Sequence, residues 1–317
     1  MSCHWSDLPG KTGRPFLRAR GNDMGFAMKK SGKLHRWAVM GPLLLAIGCA
    51  RLSEAPPEPL PDDATLRAGL ARCCAGADTY PLPVVQVVES AASSIVPVSR
   101  AIMVRAPYLQ DQPGARARLL DGAQPLDMVL IANRAHLSGA VGVGYFGHSL
   151  LIVGDEAQLR ALGVWDDPAV VPFHDRIRAG GLAIEAIEGG VHLANADQVM
   201  DSDASALLRP SGLSTARKRA AIVALFREIG KPFDVHFDLA TEEALFCTEL
   251  IDRVLPEANL PITTAYGRKV IWPDEVAAAS LLGRTGFRLQ TYVEGSPTGW
   301  REAGWQEMAV KMLAAWQ

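Results

Sequence analysis

Between Pro125 and Pro210 the chain is divided into five short apolar runs, each closed by a turn-forming residue, and this punctuation limits the fold more than any other feature. The runs are Leu126–Ala132, bounded by Pro125 and Asn133; Gly147–Gly154; Leu182–Ile187, with Gly189-Gly190 turning the chain after it; Val191–Leu193; and Ala204–Pro210. They are too short for helices and rich in Val, Ile and Leu, so they read as strands. The pattern then changes. Ser214–Ile229 places apolar residues at helical spacing, with Ser214 able to cap the start and Gly230 the end. Phe246–Leu255, opened by Thr241-Glu-Glu, and Pro273–Leu282 follow as helices. Strands first and helices later imply an α+β fold.

Upstream, residues 64–76 read as a short helix ending in Cys73-Cys74, and Val84–Ile102 as helical packing. Pro107–Gly122, with its Asp111-Gln-Pro-Gly turn signal, reads as loop. Gln158–Arg178, carrying Trp165-Asp-Asp-Pro and Phe173-His174, looks like an insert on a surface loop that helps to shape a cleft. Trp300–Trp316 has helical spacing and reads as a packed terminal helix, with a membrane-surface helix as the alternative.

The N-terminus reads as an address. A basic stretch (Lys29, Lys30, Lys33, His35, Arg36) precedes an apolar run from Trp37 to Ile47 that closes on Ala46-Ile47-Gly48-Cys49. The run is about a dozen residues, short for a bilayer span but right for a secretory signal. Small residues before Cys49 resemble a bacterial lipobox, in which that cysteine is lipidated; Ala46 departs from the usual Leu. Met24 or Met28 is a plausible true start. The Pro-rich, acidic stretch after Cys49 reads as an extended tether. Ala50, with no Asp there, leans towards the outer membrane. The expected organisation is an extension and signal at 1–49, a tether at 50–63, a helical extension at 64–124, a hydrolase domain at 125–295 and a C-terminal helix at 296–317.

The net charge of −2 over 317 residues provides no basic field for nucleic acid. The five cysteines (Cys3, Cys49, Cys73, Cys74, Cys247) form no CxxC pair and no zinc-ligand spacing, so a structural zinc site is not expected; no cofactor is expected either. Cys73-Cys74 suits an oxidised vicinal pair in an oxidising compartment.

Three residues can carry chemistry: His148 on a strand, Glu185 on the next, and Cys247 at a helix start. The positive end of the helix dipoles lowers the pKa of a thiol in the first turn. An imidazole would complete its activation, a carboxylate would orient the ring, and backbone N–H groups at the helix start would receive an oxyanion. Taken singly, each also reads as structural: a small buried hydrophobe, a satisfied histidine, a strand's exposed face.

Order and local wording favour the catalytic reading. Pro125-Leu-Asp-Met-Val-Leu, Tyr145-Phe-Gly-His-Ser-Leu-Leu-Ile-Val-Gly-Asp, Ala183-Ile-Glu-Ala-Ile-Glu-Gly-Gly-Val, Gly230-Lys-Pro-Phe-Asp, Phe246-Cys-Thr-Glu-Leu and Val270-Ile-Trp-Pro-Asp-Glu-Val resemble, in this order, the motifs of the permuted papain-like amidases of the YaeF/YiiX type. These are circularly permuted relatives of the NlpC-type cysteine peptidases and cousins of lecithin:retinol acyltransferase. The resemblance covers roughly residues 125–285. It implies a circularly permuted papain-like fold, an antiparallel sheet or small barrel packed against helices. It implies His148 as base, Cys247 as nucleophile and Glu185 as orienting carboxylate. Phe233 stands where the family often has Tyr. The gap from His148 to Glu185 is long, which makes Glu188 the fallback; on one strand Glu185 and Glu188 would point to opposite faces. Asp234 and His236 are candidates to line the cleft, though a structural loop role suits them better, and Glu249 reads as a solvent-facing or ion-paired helix residue.

The expected function is thiol hydrolysis or transfer at an amide, in a peptide or murein-like substrate, by a lipid-anchored envelope protein facing the periplasm. A lipid acyl hydrolase or acyltransferase is the alternative within enzymology. A non-catalytic binding lipoprotein, or one in which Cys49 is the only functional cysteine, is the alternative outside it. The partners expected are a small-molecule, peptide or lipid acyl substrate and the membrane.

Overall fold

A computed structural model describes residues 59–74 and 80–316. Cys3, Cys49, the signal and most of the tether lie outside the described residues. The helices are α1 (Asp63–Leu70), α2 (Leu82–Ser90), α3 (Ala92–Ala101), α4 (Pro113–Leu120), α5 (Leu137–Val141), α6 (Glu156–Leu162), α7 (His174–Arg178), α8 (Ala196–Val199), α9 (Thr215–Glu228), α10 (Cys247–Val254), α11 (Pro273–Leu281) and α12 (Trp305–Ala315). The strands are β1 (Met128–Ala132), β2 (His148–Ile152), β3 (Gly181–Ile187), β4 (Gly190–Asn195), β5 (Ala204–Pro210), β6 (Thr263–Ala265), β7 (Arg268–Val270), β8 (Phe287–Ser296) and β9 (Gly299–Glu302).

Seven strands form one antiparallel sheet in the order β4-β3-β2-β1-β5-β8-β9, and β6 and β7 form a separate hairpin. The five expected apolar runs are therefore neighbours in one sheet, with helices on its faces. Side chains alternate along each strand. Met128, Leu130, Leu151, Ile184 and Leu208 pack with Leu225, Leu250, Val276 and Met308 of the later helices. Val129, Ile131, Leu150, Ile152 and Val293 pack with Ala115 and Leu119 of α4. Apolar residues on both faces explain why the runs read as continuous rather than alternating.

Three expectations are corrected. Pro107–Gly122 is not all loop, because Pro113 starts α4 and Ala115 and Leu119 bury against the sheet. The order is not strands then helices: β8 and β9 return to the sheet after α11, with Ala206 of β5 paired to Tyr292. Polar residues such as Arg288, Gln290 and Thr291 hide β8 in the sequence. Trp300 belongs to β9, so the last helix starts at Trp305.

The segment 158–178 is also more than a surface loop. It holds α6 and α7 around Trp165, which is 2% exposed and stacks on His174 at 3.7 Å. Phe173 meets Phe226 of α9. Cys73 and Cys74 are joined as a vicinal disulfide just after α1.

Candidate active site

His148 is the first residue of β2. The register places Leu150 opposite Glu185 on β3, and Glu185 opposite His192 on β4. Residues two apart share a face, so His148, Glu185 and His192 converge on one side of the sheet. His148 Nε2 lies 2.6 Å from Glu185 Oε2. The other oxygen, Oε1, is 3.3 Å from His192 Nε2. His192 Nδ1 faces the Gly190 carbonyl at 3.0 Å. With acceptors at both nitrogens, the His192 ring is favoured in its doubly protonated, charged form.

Cys247 is the first residue of α10 and is buried. The helix forms because Leu250, Ile251 and Val254 bury one apolar stripe. Its start is fixed by Thr248 Oγ1, which donates to the Ile271 carbonyl at 2.7 Å. Glu249 is buried, pairs with Arg253 at 2.9 Å, and accepts the Phe246 N–H at 3.4 Å. Of the two readings of Glu249, ion-paired and solvent-facing, the structure has the ion-paired one.

His148 and Cys247 lie close enough for each to shift the other's ionisation. Glu185 takes Nε2, so Nδ1 is the nitrogen left to serve the sulfur. Burial alone would push the thiol up; the hydrogen bond and positive charge of His148 overcome it and draw the thiol below its ordinary value. Neighbouring Ser149 lowers it further, although its buried hydroxyl makes no hydrogen bond of ordinary geometry. Burial would likewise depress His148, but Cys247 and Glu185 push it up to about 9. Glu185 is buried too, and hydrogen bonds from His148 and His192 reverse that effect and hold it far below the carboxylate range. The Glu185 hydrogen bond is also the main cause that raises His192. The two shifts run in the directions that favour a thiolate–imidazolium pair, with Glu185 behind the imidazole.

Of the two glutamates, Glu185 is the one that meets His148. Glu188 lies past the end of β3 and pairs with Arg100 at 3.3 Å. Asp234 is buried and folds its own loop, accepting the N–H of His236 and of Asp238 at 2.8 Å each. His236 itself is exposed. Asp127, in the motif that resembles the family's opening strand, is fully buried and paired with Arg209 at 2.7 Å. Leu126, just before it, takes φ +75, a backbone conformation that glycine adopts freely.

Two contributors were missed in the sequence. His192 was one; the tight turn at Glu188-Gly189 sets the register that places it opposite Glu185. Asp274 was the other, noted only as part of a helix start. It is 1% exposed and accepts the N–H of Tyr145 at 2.6 Å, of Phe146 at 2.7 Å, and Trp316 Nε1–H at 2.6 Å. It therefore clamps the loop that leads into His148. Among the described residues, no group of three or more His, Cys, Asp or Glu is placed to hold a metal ion.

A buried thiol at a helix start, served by an imidazole from an antiparallel sheet, is the arrangement of papain-like cysteine hydrolases. The family model described as permuted papain-like amidase enzyme, YaeF/YiiX, C92 family, matches residues 123–297, and the chain belongs to that family. It is thereby placed among cysteine hydrolases acting on amide bonds. A solved structure, described as metalloprotein YiiX from Escherichia coli O157:H7, is similar over 53% of this chain and 96% of its own, at 14% identity and a TM-score of 0.38. No curated protein matches the chain.

Proposed function

We propose that the protein is a lipid-anchored envelope hydrolase that cleaves an amide through Cys247, His148 and Glu185 by way of an acyl-enzyme. The observation that carries this reading is His148 set between Glu185 at 2.6 Å and the Cys247 thiol, whose pKa it lowers. The thiolate attacks the carbonyl carbon, a C–S bond forms, and the negative charge moves to oxygen. First-turn N–H groups of α10, which have no partner within the helix, face the developing oxyanion. Collapse breaks the C–N bond as imidazolium His148 gives its proton to the leaving amine. Water then attacks the thioester and yields its proton to His148. The C–S bond breaks, and the acid leaves with the ion pair restored. Glu185 keeps the ring oriented and its positive charge stabilised throughout.

The anchored location is supported by the basic and apolar run that ends in the lipobox-like Ala46-Ile47-Gly48-Cys49, followed by a Pro-rich tether. The outer membrane, facing the periplasm, fits the absence of Asp after Cys49.

The test is alkylation of the full chain with iodoacetamide at neutral pH, followed by trapping of an acylated Cys247 with peptide and murein-type amides and detection by mass. Fast alkylation confined to Cys247, with an acyl adduct that Cys247→Ala lacks, supports the reading. Turnover of such an amide by Cys247→Ala at the full rate would sink it.

A further inference from the structure

We propose that the helices α2 and α3 are a second membrane contact, an aliphatic surface that rests in the hydrocarbon edge of a neutral bilayer. This placement rests on the anchored reading given above.

Of the thirteen large apolar side chains exposed among the described residues, nine fall between Tyr80 and Val104. Val87 is 69% exposed and Val98 58%. Val84, Ile95, Met103 and Val104 are exposed as well. The other four are scattered along the chain, as single surface apolar residues ordinarily are. Val84 and Val87 on α2, and Ile95 and Val98 on α3, are spaced three apart and so are neighbours on their helices; exposed apolar residues grouped in this way mark an interaction surface.

Charge selects the occupant. Residues 80–104 contain two ionisable carboxylate or basic side chains, Glu89 and Arg100. Both are tied to the body of the protein: Glu89 to Arg268 at 2.5 Å, and Arg100 to Glu188 at 3.3 Å. The exposed aliphatic face therefore offers no charge to an acidic or basic partner and no lysines to an anionic headgroup. Protein interfaces draw their binding energy from Trp, Tyr and Arg, and Val and Leu are under-represented at their hot spots. A Val-rich face with its charges used internally suits hydrocarbon instead.

Position agrees. The described chain starts close to the proposed anchor. The stretch from Cys49 to Asp63 can extend to about 50 Å, so the body stays within that distance of the bilayer. Segment 80–104 is also tied to segments that neighbour the site residues along the chain. At one end the Tyr80 N–H donates to the Tyr266 hydroxyl at 2.8 Å, and Arg268, which holds Glu89, donates to the His236 carbonyl on the loop before the nucleophile. At the other end Arg100 holds Glu188, just past Glu185, and Met103 bridges to His136 in the segment after β1. A bilayer against α2 and α3 therefore lies on the side of the protein where Glu188 follows Glu185, and a substrate carrying an acyl chain would arrive from it.

The test uses the full chain on phosphatidylcholine vesicles, with a polarity-sensitive fluorescent amino acid replacing Val87 or, as a control, the exposed Arg227 of α9. The expected result is a blue-shifted emission at position 87 that brominated phosphatidylcholine quenches, with no change at 227. Val87→Glu and Val98→Glu should each weaken vesicle partitioning about tenfold, the loss of one buried valine. Both should keep iodoacetamide labelling of Cys247. A probe at 87 that stays in water on the vesicle overturns the proposal. So does shielding that rises with protein concentration without lipid, or shielding that needs an added protein. The anchor is checked separately by the acyl mass at Cys49; an unacylated chain is mixed with vesicles and read at 87 in the same way. Failure of the hydrolase reading shows in Cys247→Ala and leaves the probe at 87 unaffected.

Discussion

Glu185 holds His192 with the oxygen that His148 leaves free, Oε1 to Nε2 at 3.3 Å. One buried carboxylate thus spans two imidazoles, and the second of them reaches the surface with 26% of its side chain exposed. His192→Ala frees Oε1 and loosens the carboxylate that orients the base. Loss of a hydrogen bond to a charged group costs about 2 kcal/mol, so alkylation or turnover should fall on the order of tenfold. His192→Gln, which keeps a donor, should recover most of that loss. Equal rates for the wild type, the Ala variant and the Gln variant would show that the second imidazole is idle.

Ultraviolet absorbance of the thiolate should follow the sulfur with pH, and the imidazole resonances of His148 in NMR should follow the loss of the ion pair on the alkaline side. His148 rises from its ordinary 6.5 to about 9 in the folded chain. The stability contributed by charged His148 is therefore full below 6.5 and is lost as pH climbs through about 9. Glu185→Gln removes one of the two groups that raise the base. Its alkaline limit should move to lower pH, with less thiolate at neutrality. An unmoved limit would exclude Glu185 as the partner of the base.

Asp274 makes the opposite kind of prediction, one dominated by stability. Asp274→Ala would leave the N–H groups of Tyr145 and Phe146 and the indole N–H of Trp316 without their acceptor. Buried donors left unpaired cost about 1–3 kcal/mol each, so the melting temperature should drop by several degrees and the loop before His148 should loosen. Trp316→Phe removes one of the three donors and should cost correspondingly less. Hydrogen exchange at Tyr145 and Phe146 is the direct readout, and unchanged protection there would contradict the clamp.

Trp165→Ala separates the 158–178 segment from the site. Removing a packed indole costs about 3–5 kcal/mol in a core. Urea unfolding should show that loss, while the iodoacetamide rate at Cys247 stays at the wild-type level once the variant is folded. A large change in thiol reactivity would mean that the segment reaches the cleft after all.

What the sequence made legible follows from the range of the interactions. The five apolar runs and the helices after Ser214 could be read because local pattern reports burial. Cys247, His148 and Glu185 could be named because a thiol at a helix start and a motif order are local as well. The return of β8 to the sheet could not be read, since its pairing with β5 is non-local and its polar residues break the pattern. Asp274 escaped for the same reason: its partners Tyr145 and Trp316 lie far away on both sides in sequence. His192 was within reach, because the turn at Glu188-Gly189 sets its register. Trp165 was misjudged because Asp166, Asp167 and Pro168 suggest a surface, while the ring between them and His174 is buried.

The strands bearing His148, Glu185 and His192 follow one another along the chain and lie side by side, whereas Cys247 arrives later on a helix of its own. During synthesis the proposed base and its carboxylate are consequently finished before the proposed nucleophile exists. A nascent or clipped polypeptide ending short of α10 carries half a machine, and the reactive sulfur appears only when nearly the whole domain has left the ribosome.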